Sequence, residues 1–169
     1  MSLKIIHTAD WHLGQTFFGY DRDEEHEAFL SWLIDILTLR QTDVLLIAGD
    51  VFDVANPSAA AQRRFFRFLR EANRRNPQLQ IVIIAGNHDS AARLEAPIPL
   101  LEELNTSIVG AVPRTDLCKI DFDSLLIPLY NKEGKREAIC LAVPYLRQGD
   151  YPASKEGKDT YVEGVTRMY

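Results

Sequence analysis

A chain of 169 residues that is 46% hydrophobic and 25% charged has enough apolar residues to close one self-sufficient core, which excludes a disordered or collagen-like polymer. A net charge of −5 excludes a generally basic nucleic-acid binder, although a local basic face or bound divalent cations could still meet phosphate. The two cysteines, Cys118 and Cys140, lie in apolar stretches without metal-ligand spacing, so reduced thiols are expected rather than a disulfide framework or a zinc site.

Met1-Ser2-Leu3 runs directly into the strand-like Lys4-Ile5-Ile6 without a signal-peptide pattern, and no apolar run approaches membrane-spanning length. A soluble, cytoplasmic protein is therefore expected. His7 closes the first strand, where alternation turns it away from the loop that follows and predicts a hydrogen-bonded structural side chain. From Glu24 to Leu39 the residues Phe29, Trp32, Leu33, Ile36 and Leu37 recur at helical spacing, which predicts a helix with that face buried and with His26, between Glu25 and Glu27, in solvent. Val44 to Ala48 and Ile81 to Ala85 are continuously apolar, as strands buried on both faces are.

Between those strands Asn56 is the expected N-cap of a second helix, with Pro57 in its first turn. Its stripe of Ala61, Phe65, Phe68, Leu69 and Ala72 is the predicted core face, and Phe66 falls outside it. Arg63, Arg67, Arg70 and Arg74 share another face, where Glu71, four residues after Arg67, predicts salt-bridged solvent exposure rather than contact with a DNA backbone. A third helix over residues 91–104 is interrupted by Pro97 and Pro99. Strands are expected at Ser107 to Val109, Leu125 to Ile127 and Ala138 to Val143, building a second sheet layer. From Gln148 periodicity is lost, so residues 148–169 read as a mobile loop or a connection to further elements of a single domain.

Strand, helix, strand, helix, strand predicts an α/β fold with a mainly parallel sheet, whose ligands collect beyond the carboxyl ends of the strands. Three loops at those ends carry Asp10-Trp11-His12, Gly49-Asp50-Val51-Phe52-Asp53 and Gly86-Asn87-His88-Asp89. Any one alone is an ordinary turn, since Asp, Asn and Gly are turn formers. Their convergence brings carboxylates, an imidazole and an amide carbonyl to one place, a donor set suited to manganese or a similar first-row ion.

These blocks resemble the calcineurin-like metallophosphoesterase superfamily, whose signature is D-x-H, then G-D-x-x-D, then G-N-H-D. The resemblance implies a two-layer, mainly parallel or mixed β-sandwich flanked by helices. It also implies Asp10 and His12 on a first metal, Asp50 bridging two metals, Asn87 on the second through its carbonyl, and His88 facing the scissile phosphate. Asp89 is expected to pair with the His88 ring and raise its basicity, and Asp53 to orient a metal-bound imidazole.

The longer runs Asp10-Trp11-His12-Leu13-Gly14, Ile47 to Asp53 with Pro57-Ser58, Ala85 to Ser90, and Val143-Pro144-Tyr145-Leu146-Arg147 are similar to the SbcD family of bacterial nucleases. That likeness implies two manganese ions, cleavage of DNA as a duplex exonuclease and single-strand endonuclease, an SbcC-type ATPase partner, and a homodimer through helices at 58–76 and 91–104. The superfamily completes its site with further histidines, whereas the histidines here are His7, His12, His26 and His88. Residues 1–169 are therefore expected to be the front portion of a longer nuclease domain, weak or inactive alone. A small-molecule phosphodiesterase of the same superfamily and a non-catalytic DNA-end scaffold are the rival expectations.

Overall fold

The structure, a computed structural model, describes residues 2–101, 104–117, 119–152 and 160–169. Cys118 and residues 153–159 of the expected mobile tail lie outside the described residues, while Cys140 is a half-buried free thiol.

In chain order the elements are β1 (Ile5–Thr8), β2 (Thr16–Phe17), β3 (Tyr20–Asp21), α1 (Asp23–Leu39), β4 (Val44–Ala48), α2 (Ala59–Arg75), β5 (Gln80–Ile84), α3 (Ala91–Glu95), α4 (Ile98–Leu101), β6 (Thr106–Val109), β7 (Leu126–Tyr130), β8 (Arg136–Leu141) and α5 (Tyr161–Met168). β1, β4, β5 and β6 form one sheet in that order, every neighbouring pair parallel. Side chains alternate across it. Leu45, Ile47, Ile81, Ile83 and Ile108 pack in one core with α1 and α2, while Val44, Val82 and Val109 pack in a second core with Leu125, Leu129 and Ala142 of the β7–β8 hairpin region. Because both faces are covered, β4 and β5 read as unbroken apolar runs.

Helix α2 buries Ala61, Phe65, Phe68, Leu69 and Ala72, the predicted stripe, and each large side chain among them contributes roughly 1.5–3 kcal/mol by leaving water. Its N-cap is Ser58, whose hydroxyl accepts from Ala61 N at 3.1 Å, rather than Asn56. Phe66 is half-buried and tilted against Phe65 at 5.5 Å. Of the arginine face, Arg67 and Arg74 are salt-bridged, but with different partners from those expected. Arg67 pairs with Glu27 of α1, while Glu71 pairs with Arg74 and Arg75, which hold its carboxyl down at about 2.

Helix α1 is rotated from its predicted facing, burying Leu30, Leu33, Ile34 and Leu37 and leaving Trp32 56% exposed. His26, four residues before Leu30, falls on the same face and is 6% exposed, correcting its assignment to solvent. Burial chiefly, then Arg22 and Arg64, push the His26 imidazole below its ordinary range, against weaker opposing pulls from Asp23 and Glu25. A depressed histidine stabilises the fold above its unfolded value of about 6.5, and that stability is lost as pH falls below it. The urea midpoint should therefore drop as pH falls below about 6.5. His26→Leu should flatten that part of the profile, and an unchanged slope in the variant would refute the assignment.

Pro97 splits the third helical region into α3 and α4, whereas Pro99 sits within the first turn of α4, where a missing N–H is tolerated. Of the expected second layer, β6 instead joins the first sheet, pairing Ile81 with Thr106 through Ile84 with Val109. Among the described residues the second layer is the antiparallel β7–β8 hairpin. The tail folds back as α5, opened by a capping box between Thr160 and Glu163, and buries Met168 in the second core. Gly164 lies under the Tyr151 ring, where an added methyl group would collide. His7 is exposed on β1, contrary to the expected structural role.

Candidate metal centre

The three ligand-rich loops leave the carboxyl ends of β1, β4 and β5, and the chain's own peptide groups lace them together. Asp10 N donates to Gly49 O at 3.1 Å, His12 N to Asp50 O at 3.0 Å, and Leu13 N to Val51 O at 3.0 Å. Trp11 pins the first loop from behind, its ring meeting Phe29, Phe65 and Phe68 edge-on at 5.1–6.2 Å while its indole N–H donates to Thr8 Oγ1. Asp10, His12 and Asp50 all have left-handed backbone, with φ of 55°, 44° and 48°, a conformation in which Asp and His are among the better tolerated residues. Gly86 permits the third loop to approach, since a methyl group there would collide with the Asp50 carboxylate.

Asp10, His12 and Asp50 each present a ligand atom within 4.8 Å of the others. Asp50 is 7% exposed; its Oδ1 accepts from His88 N at 2.9 Å, and its Oδ2 lies 3.8 Å from His12 Nε2. Asn87 joins Asp10 and Asp50 in lining a cleft of about 290 Å³, whose far wall is Pro144 and Tyr145. His12 Nδ1 lies 3.3 Å from Asp53 Oδ1 but out of line for a hydrogen bond, so the ring is placed beside that carboxylate without a formed bond.

The exposed His88 ring stands edge-on to His12, centroids 4.9 Å apart, and its Nδ1 is 2.7 Å from Asp53 O. A carbonyl only accepts, so the proton sits on Nδ1. That bond, and then the Asp50, Asp53 and Asp89 charges, raise the imidazole above its ordinary range. The Asp89 carboxylate does not take the expected place on the His88 ring. Asp89 is 1% exposed and accepts from Val51 N, Phe52 N and Gly86 N at 2.9–3.1 Å, tying the second loop to the third. Peptide N–H groups left over at the ends of two loops outcompeted the neighbouring imidazole for this carboxylate.

A family model for calcineurin-like phosphoesterases matches residues 3–152. The chain is similar to the SbcD component of the SbcCD nuclease from Rhodobacter capsulatus, 48% identical over 163 residues, which is 96% of this chain and 40% of that relative. It is 34% identical to the protein of the same name from Escherichia coli K12, over 92% of this chain and 36% of the relative. With the Bacillus subtilis protein it shares 40% identity over 72% of this chain and 31% of the relative. The chain thus spans 40% or less of the length of these relatives. With the three loops converging and the match covering 150 positions from 3 to 152, the chain belongs to the calcineurin-like phosphoesterase family.

Proposed function

We propose that this chain carries the front half of a two-metal centre that hydrolyses DNA phosphodiester bonds. The observation that supports it best is the meeting of Asp10, His12 and Asp50 within 4.8 Å, with Asn87 in the same cleft, a mixed carboxylate, imidazole and amide set that fits first-row divalent ions. Two such ions, taken here as manganese, would supply an activated water and positive charge against the phosphate oxygens. Asp10 and His12 would hold the first ion, Asp50 would be shared by both, and Asn87 would offer its side-chain carbonyl to the second. Asp53 stands beside the His12 ring, 3.3 Å from its Nδ1, and would orient it once that bond forms. His88 keeps its proton on Nδ1 against Asp53 O, which directs Nε2 toward the leaving oxygen.

The names of the relatives, each a subunit of the SbcCD nuclease, support a nuclease reading; in that reading the substrate is DNA and the reaction duplex exonuclease and single-strand endonuclease action. In the same reading the protein works with an SbcC-type ATPase, pairs with a second copy through α2 and the α3–α4 region, and acts in the cytoplasm. Among the described residues no helix is long and apolar enough to cross a membrane.

Titration of purified residues 1–169 with manganese should give one weak site, because among the described residues only Asp50 and Asn87 are assigned to the second position. Asp50→Asn should abolish it; asparagine tolerates the left-handed backbone, so the readout is the lost charge. Robust manganese-dependent digestion of duplex DNA by residues 1–169, lost in Asp50→Asn, would overturn the two-ligand account. The full-length gene product should cut duplex ends faster than a chromogenic phosphodiester, and the reverse preference would favour a small-molecule substrate.

A further inference from the structure

After β8 the chain returns to the metal cleft. Ala142 N donates to Leu125 O at 2.8 Å and Tyr145 N to Ala85 O at 2.8 Å, which ties this segment to the end of β5, where the third ligand loop begins. Tyr145 thereby forms the wall facing Asp10, Asp50 and Asn87. Two residues on, the Arg147 guanidinium lies over the Tyr145 ring, 5.8 Å from its centroid, and Nη2 reaches Asp89 O at 3.4 Å. The nearby Asp150 carboxylate is directed at the Arg147 backbone, accepting from its N–H at 2.6 Å.

Arg147 is exposed and makes no ion pair among the described residues, whereas Arg64, Arg67, Arg74 and Arg75 of α2 are all engaged by carboxylates. A planar guanidinium stacked on a ring and tethered by one nitrogen keeps its other N–H donors free and in a fixed plane. That arrangement matches the paired oxygens of a phosphate, which such a fork grips with two parallel charge-assisted hydrogen bonds. Arg147 is not in the lining of the cleft itself. It lies over the Tyr145 ring and reaches the Asp89 carbonyl, on the loop that carries Asn87 and His88.

We propose that Arg147 anchors the DNA phosphate adjoining the scissile one, with Tyr145 as its platform; this rests on the phosphodiesterase reading above and names the group that holds the polymer in register. A phosphate contact of this kind reads no sequence. It adds affinity uniformly and releases a condensed counterion.

The test uses the full-length gene product and a fluorescein-labelled oligonucleotide duplex, with calcium in place of manganese during the binding measurements. Arg147→Gln should weaken binding on the order of tenfold and reduce the slope of log K against log salt by about 0.9. Arg147→Lys should recover the slope but only part of the affinity, since a point charge lacks the fork. Turnover of bis(p-nitrophenyl) phosphate, which has no adjoining phosphate, should stay within twofold in both variants. An unchanged salt slope in Arg147→Gln would overturn the proposal. So would an equal fall in ester turnover, which marks a structural or scissile-phosphate role. A wild type that hydrolyses the ester yet neither binds nor cuts DNA defeats the DNA reading itself, an outcome separable from the failure of Arg147 alone.

Discussion

On the proposed function, His88→Ala should lower phosphodiester cleavage by about 10²- to 10⁴-fold and leave manganese affinity within about twofold. The loss would be large because, in that reading, proton donation to the leaving oxygen acts in the transition state. The bond from Nδ1 to Asp53 O fixes the tautomer, and the imidazole is raised above its ordinary range, so more of it carries the acidic proton at neutral pH. The sign is definite: a raised histidine keeps its acid form to higher pH, so the descending limb of the rate profile lies above about 6.5 and disappears in the variant. Because His88 also lies within 4.8 Å of His12 and Asp53 ligand atoms, the calorimetric arm is decisive. If His88→Ala loses its metal, the side chain is a ligand and the acid role is wrong.

The second large effect is on stability. Asp89→Ala should destabilise the fold by about 4 kcal/mol, read as a fall in the denaturant midpoint, because it strands two buried N–H donors and one part-buried one that now share one carboxylate. Asp53→Ala, at a half-buried site with no comparable set of donors on its side chain, should cost far less. Equal midpoints for the two variants would show that Asp89 is no clamp.

How much of this was readable in the sequence differs from helix to helix. In α2, arginines separate the apolar positions, so Ala61, Phe65, Phe68, Leu69 and Ala72 define one face without ambiguity. In α1, Phe29, Leu30, Trp32, Leu33, Ile34, Ile36 and Leu37 crowd more than half the circumference. Two stripes one position apart then satisfy the same period, and packing against α2 decides between them. His26 was misplaced by that one-position choice. The ligand loops were legible because chemistry-bearing residues recurred after each predicted strand. Asp89 was not, since nothing in a one-dimensional string shows which peptide N–H groups from residues 51 and 52 will lack partners. Arg147 meets Asp89 across 58 residues, a distance over which local pattern carries no signal.

The lacing of the ligand loops by peptide hydrogen bonds has a thermodynamic consequence for ion capture. With Asp10, His12 and Asp50 already fixed through Gly49, Asp50 and Val51 carbonyls, an arriving cation need freeze only a few side-chain torsions. Little conformational entropy opposes binding, which is preorganisation in the sense used for rigid ligands. The backbone amides of residues 10–13 should therefore exchange with deuterium at nearly the same rate with and without manganese, and the affinity of the centre is governed by the number and charge of its donors rather than by the folding of its loops.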